Sequence, residues 1–134
     1  MKQKILLVDD HRENLIALEA ILEAPGRQLV MATSGNEALQ LALKNDFSLV
    51  LLDVQMPEMD GFEVAQLLRQ GKKTRNTPII FVTAISKEHK YVFQGYECGA
   101  VDYLFKPIDQ QVLTAKVEVF LELDQQKRRL QQAV

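Results

Sequence analysis

The sequence is short of several things, and each shortage closes off a class of protein. It has one cysteine, Cys98, so it forms no intrachain disulfide and lacks the companions that a zinc site needs. Cys98 sits in the short Glu97-Cys98-Gly99-Ala100 link, where it reads as a small buried filler. The 16 basic and 18 acidic side chains nearly cancel, to a net charge of −2, which gives neither an electrostatic footprint for nucleic acid nor a basic stripe for a membrane surface. No apolar run approaches the roughly 20 residues of a membrane span. Met1-Lys2-Gln3-Lys4 leads straight into a strand, without the apolar core and cleavage site of a signal peptide, so the expected location is cytoplasmic. Internal repeats and low-complexity segments are absent. What is left, 134 residues of which 47% are hydrophobic and 25% charged, is the make-up of one globular domain of ordinary size.

Against that background the apolar run Ile5-Leu6-Leu7-Val8 stands out, because it ends in Asp9-Asp10. Four β-prone apolar residues bounded by charge read as a buried strand that meets water only at its end. Adjacent carboxylates repel, and burying either is costly without a cation, so such a pair points to a hard divalent ion with oxygen ligands, Mg²⁺ above all. The bland alternative is a solvated turn with Asp10 capping the next helix. Three further strand-like runs weigh against it. Ser48-Leu49-Val50-Leu51-Leu52 stops at Asp53, Pro78-Ile79-Ile80-Phe81-Val82 stops at Thr83-Ala84, and Ala100-Val101-Asp102-Tyr103-Leu104-Phe105 stops at Lys106-Pro107. In an open α/β sheet, ligands bind outside the carboxyl ends of the strands. Three carboxylates, a hydroxyl and a lysine therefore gather in one crevice.

Helices alternate with these strands. Leu15, Leu18, Ile21 and Leu22 repeat at helical spacing between Asn14 and Glu23, and Ala24-Pro25-Gly26 stops that helix. Leu29-Val30-Met31-Ala32 is a short strand, and Ser34 caps a helix carrying Ala38, Leu39, Leu41, Ala42 and Leu43. Asp60-Gly61 is a turn signal before a third helix over Phe62 to Arg69, and Ser86 to Gly95 is a weak, polar fourth. Strand and helix alternate five times, which implies a doubly wound α/β fold: a parallel five-stranded sheet in the order 2-1-3-4-5 with helices on both faces. The last helix begins near Asp109 and can run some 25 residues, about twice the mean length. Its first half has the stripe Leu113, Val117, Phe120 and Leu121; its second half is polar, with Val119, Leu123, Leu130 and Ala133 at sparse heptad-like positions and Gln126 at a core-like one.

Taken together, Asp9-Asp10, Asp53, Thr83-Ala84 and Lys106-Pro107, with Asp53-Val54-Gln55-Met56-Pro57, Met59-Asp60-Gly61 and the Gly99-Ala100-Val101-Asp102-Tyr103 approach to Lys106, resemble the receiver domain of bacterial two-component response regulators. The resemblance covers roughly residues 3 to 122. It implies a flavodoxin-like receiver domain over residues 1–122 and a helical extension over 123–134. That extension reads as a linker to an output domain or as a coiled-coil stalk that pairs two copies weakly. It also implies a phosphoacceptor and not an enzyme in the ordinary sense, whose partners are a sensor histidine kinase or histidine phosphotransfer protein and a downstream output domain or effector, with no direct contact to nucleic acid or membrane. Asp53 would take the phosphoryl group. Asp10, Asp53 and the backbone carbonyl of Gln55 would ligate Mg²⁺, and Asp9 would act through a bound water. Lys106 would pair with one phosphoryl oxygen and Thr83 would donate to another. Thr83 and Tyr103 would form the switch that repacks the face of the fourth helix, fifth strand and fifth helix. The peptide bond before Pro107 would be cis.

Rival readings fit less of the sequence. A P-loop NTPase needs a phosphate loop, and Gly71-Lys72-Lys73-Thr74 lacks the earlier glycine and follows a helix. A haloacid-dehalogenase-like phosphohydrolase normally carries a second acid two residues after the nucleophile, where this chain has Gln55. A receiver-like interaction module that is never phosphorylated usually shows a gap among the key residues, and none is missing. His11 reads as a surface residue at a helix start, since a Mg²⁺ site favours oxygen, and His89 as solvated. Gln55 and Ile85, two positions beyond Asp53 and Thr83, are placed to gate the water that hydrolyses an acyl phosphate.

Overall fold

Five strands form one parallel sheet because their side chains are apolar on both sides: β1 (Gln3–Val8), β2 (Arg27–Ala32), β3 (Leu49–Asp53), β4 (Ile79–Thr83) and β5 (Asp102–Phe105). The computed structural model describes residues 2–84 and 102–132. The strand order is β2-β1-β3-β4-β5, as the alternation of elements implies. The helices among the described residues are α1 (Arg12–Leu22), α2 (Gly35–Lys44), α3 (Gly61–Gln70) and α4 (Gln110–Gln132). The fourth helix expected over 86–95 lies outside the described residues, and so do His89, Ile85, Cys98, Gly99, Ala100, Val101 and Ala133.

Alternation along each strand divides the core into two layers. Leu6, Val8, Val50, Leu52, Ile79 and Phe81 face α2 and α3, packing on Ala38, Ala42, Val64 and Leu68. Ile5, Leu7, Leu49, Leu51, Ile80 and Val82 face α1 and α4, packing on Leu15, Leu18, Leu113, Val117 and Leu121. A register slip of one residue in any strand would exchange the two layers, so the core fixes which strand ends meet.

Helix starts set the loops at the carboxyl edge of the sheet. Ser34 caps α2 by accepting from the Glu37 N–H, as its sequence suggests. Asp60-Gly61 acts as more than a turn. Asp60 caps α3 in a reciprocal box with Glu63, and Gly61 is the first helical residue. The N-cap of α1 is His11, which supplies no side-chain cap. Asp109 accepts from the N–H groups of Gln111 and Val112 at the start of α4.

The buried stripe of α4 ends at Leu121, but the helix stays tied to the sheet beyond it. Gln3 donates to the Leu121 carbonyl at 2.8 Å and to Asp124 at 3.0 Å. Arg128 donates to Asp124 at 2.7 Å and reaches Asp46 at 3.1 Å. Burial pushes the Asp124 carboxyl up, but Arg128, the Ser48 hydroxyl and Gln3 outweigh it and hold the group below its usual value. Ser48 faces this carboxylate without meeting hydrogen-bond geometry, so its effect is the smaller and Arg128's the larger. Among the described residues, no helix is long and apolar enough to cross a membrane.

Candidate functional site

β1 and β3 lie side by side at the point where the strand order reverses, so the residues that follow them share one crevice. Asp9 follows β1 and is 2% exposed; Asp53 ends β3 at 5%. Thr83 ends the neighbouring β4 and is buried as well. Lys106 follows β5, and its backbone N–H donates to the Thr83 carbonyl at 2.9 Å, which fixes the lysine against the end of β4. The peptide bond between Lys106 and Pro107 is cis.

The Lys106 ammonium bridges two of the acids. Its Nζ lies 3.3 Å from Asp9 Oδ2 and 3.8 Å from Asp53 Oδ2. Asp9 is fully engaged: Oδ1 accepts the His11 N–H at 2.9 Å, and Oδ2 accepts from the Asn14 amide at 3.1 Å. Asp10 differs. Its Oδ1 is buried with no hydrogen-bond partner, although the exposed His11 ring stands 3.2 Å away in unsuitable geometry. Burial pushes the Asp53 carboxyl up to about 6 from 3.8, and Asp9 adds to this; Lys106 and the Gln55 backbone N–H pull the other way, and Asp10 raises it further.

Among the described residues, such a site is short of positive charge. The Lys106 ammonium serves Asp9 and Asp53, and the unpartnered buried oxygen of Asp10 is a costly group to leave bare. The donor atoms of Asp9, Asp10 and His11 lie within 4.8 Å of one another. An oxygen-rich, anionic donor set of this kind fits a hard divalent cation such as Mg²⁺.

The surrounding loops hold the site's shape. The Gly61 N–H donates to the Val54 carbonyl at 2.8 Å, drawing the start of α3 against the chain just after Asp53. A side chain at Gly61 would strike the Asp53 carbonyl oxygen and come within 2.9 Å of Val54 Cα, so glycine is required by close approach. Glu58, at φ 68°, adopts the left-handed conformation in the same loop. Gln55 is exposed beside Asp53.

Tyr103 extends the site sideways into the core. It is buried, with its ring 5.4 Å from that of Phe81 and stacked on Phe105 at 5.5 Å; Phe62 meets Phe81 edge-on at 5.0 Å. These aromatics link β5 to β4 and α3. Asn14 is a site neighbour that the sequence reading missed. Its signal was modest: a polar residue one helical turn after the acidic pair, on the edge of α1 that faces Asp9.

The comparisons agree with this geometry. The response regulator receiver domain model matches residues 5–118. The transcriptional regulatory protein SrrA of Staphylococcus aureus is 38% identical over 93% of this chain and 50% of its own length, so the chain spans about half the length of the curated relatives it matches. The chemotaxis protein CheY4 of Vibrio cholerae superposes with a TM-score of 0.83 at 29% identity, over 90% of this chain and 99% of that one. The BeF3-activated receiver domain of DrrB, from Thermotoga maritima, superposes with a TM-score of 0.80 at 32% identity, over 91% and 99%. With its doubly wound 2-1-3-4-5 sheet, its strand-end acids and these relatives, the chain belongs to the response regulator receiver domain family of two-component signalling.

Proposed function

We propose that Asp53 is the phosphoacceptor of this receiver domain and takes its phosphoryl group from the phosphohistidine of a sensor histidine kinase or histidine phosphotransfer protein. A carboxylate oxygen of Asp53 attacks phosphorus, the P–N bond to the donor imidazole breaks, and the imidazole leaves with the electron pair and gains a proton. Water later cleaves the acyl phosphate and restores the carboxylate. The observation that carries the reading is the buried Asp53 carboxylate at a strand end, with Lys106 at 3.8 Å.

Phosphoryl transfer asks mainly for positioning and charge neutralisation, which these residues supply. Lys106 pairs with a phosphoryl oxygen as a point charge, and the Thr83 hydroxyl donates to another. Asp10, Asp53 and the Gln55 carbonyl would hold Mg²⁺, and Asp9 would act through a water; such an ion would supply the charge that neutralises the acids and shields Asp53 from the incoming phosphoryl group. Lys106 and Asn14 keep Asp9 in place. Gln55, exposed two positions beyond Asp53, gates the hydrolytic water in this reading. Once Asp53 is phosphorylated, movement of Thr83 repacks Tyr103 within the Phe81–Phe105 stack and alters the face formed by β5 and α4, a population shift driven by a local charge change. That face passes the state to an output domain or effector, and residues 123–134 form the extension toward it.

Acetyl phosphate with Mg²⁺ tests the assignment by intact mass. The wild-type chain should gain one phosphoryl group, lost on hydroxylamine treatment, and Asp53→Asn should gain none. Equal labelling of Asp53→Asn would overturn the reading. Complete resistance of the wild-type chain, together with failure to bind beryllofluoride, would instead make it an unphosphorylated interaction module.

A further inference from the structure

We infer that Asn14 is a positioning residue that leaves Lys106 free to pass from the acidic crevice to a phosphoryl group on Asp53. The inference rests on the phosphoacceptor reading of Asp53 and deepens it. Leu15, Leu18 and Leu22 bury one face of α1 against the sheet, and that docking sets the half-buried Asn14, in the first turn, beside the end of β1. Its side-chain amide donates to Asp9 Oδ2 at 3.1 Å. Lys106 Nζ shares that oxygen at 3.3 Å, while Asp9 Oδ1 accepts the His11 backbone N–H at 2.9 Å. Among the described residues, these are the hydrogen-bond donors of the buried Asp9 carboxylate.

Sharing one oxygen loosens the hold on the lysine. Charge-assisted N–H···O bonds close to about 2.7–2.9 Å. Lys106 Nζ stands outside that range from both of its acids, at 3.3 Å from Asp9 and 3.8 Å from Asp53. A carboxylate oxygen offers two lone pairs, and at Oδ2 Asn14 fills one of them. When the ammonium moves away, Asn14 and the His11 N–H still serve one oxygen each, so neither buried oxygen of Asp9 is stranded. Without the Asn14 amide the same movement would leave Oδ2 bare, and Lys106 would settle on Asp9 instead. The lysine also has room to move. Its backbone N–H is fixed to the Thr83 carbonyl at 2.9 Å, so the change falls on the flexible side chain alone. A cavity of about 300 Å³, lined by Asn14, Leu18, Ile21, Val82, Pro107 and Ile108, opens beside it.

Two measurements on the full chain test the proposal, each made on wild type, on Asn14→Leu, which keeps the size without the donor, and on Asn14→Gln, which keeps the amide. Circular dichroism verifies that each variant holds its helix content. The first measurement is proton exchange of the Lys106 ammonium, read by ¹⁵N NMR without metal. Exchange should slow several-fold in Asn14→Leu, because the lysine closes on Asp9, and return toward wild type in Asn14→Gln. The second is beryllofluoride affinity at saturating Mg²⁺, read by calorimetry. It should fall roughly tenfold in Asn14→Leu, the cost of stranding a buried acceptor, and Asn14→Gln should recover most of it. An Asn14→Leu chain that binds beryllofluoride as tightly as wild type, or whose Lys106 exchange does not slow, overturns the proposal. Asn14→Gln failing as badly as Asn14→Leu also overturns it, since the residue then acts by packing alone. A wild-type chain that binds no beryllofluoride would overturn the phosphoacceptor reading instead; the exchange measurement involves no phosphoryl group and still decides whether Asn14 holds Lys106 off Asp9.

Discussion

Removing the Asp53 charge should make the metal-free domain more stable, although it removes the group on which the proposed function turns. In the folded chain the Asp53 carboxyl is pushed from 3.8 to about 6, first by burial and next by the charge of Asp9. A carboxyl whose folded value is raised keeps its proton, between those two pH values, when the unfolded chain has already lost it. Its contribution to stability therefore falls as pH climbs through that window, and the loss is complete above it. At about 1.36 kcal/mol per pH unit, a rise from 3.8 to about 6 corresponds to roughly 3 kcal/mol of destabilisation at pH 7.5. An amide retains part of the desolvation cost, and the crevice opens to water at the strand ends, so Asp53→Asn should recover about 1–2 kcal/mol. Urea unfolding of both proteins in EDTA, at pH values from 5 to 8, measures this directly. The gap should already be about half developed at pH 5 and full by pH 7, and millimolar Mg²⁺ should narrow it by stabilising the wild-type chain alone. An Asp53→Asn domain no more stable than wild type at pH 7.5 without divalent cations would refute the reasoning, because the acids would then not be short of a counter-charge.

Asp10→Asn should weaken Mg²⁺ binding, read by calorimetry, more than Asp9→Asn does, since Asp10 Oδ1 is unpartnered while Asp9 is already held by Lys106, Asn14 and the His11 N–H. Lys106→Ala should move the Asp53 titration, followed by carboxyl NMR without metal, above its wild-type midpoint, because the ammonium lowers it. Gly61→Ala should cost about 2 kcal/mol or more in urea unfolding, because the new methyl meets the backbone of Asp53 and Val54. Arg128→Ala should cost about 1 kcal/mol at pH 7 and raise amide exchange in α4 beyond Leu121. Because the Asp124 carboxyl is held low, that cost should fade as the pH drops below 4.

The strand order and the strand-end acids could be read in advance because both follow from one property of the chain. Every strand is apolar on both faces, so the first polar residue after it must lie at the sheet edge, and the switch point then brings Asp9, Asp10 and Asp53 together. What escaped the reading is polar contact at a distance. Nothing local to Asn14 says that its amide will reach Asp9, and Asp60-Gly61 gives the same signal as a turn or as a capped helix start. The second half of the last helix escaped for a subtler reason. Its inward residues continue the stripe of Leu113, Val117 and Leu121 at steps of three and then four, but hydrophobic periodicity ends at Leu121, and Asp124 and Arg128 read as polar. Their partners, Gln3 and Asp46, lie more than eighty positions away, so only the fold discloses that the polar stripe is an attachment. The residues left over on the opposite side, Val119, Leu123 and Leu130, are then exposed on a helix held in place, unlike side chains scattered along a fraying tail. The same helix also meets β5, where Lys116 donates to the Tyr103 carbonyl at 3.3 Å and pairs with Asp102 at 2.7 Å, polar contacts that hydrophobic periodicity does not announce either.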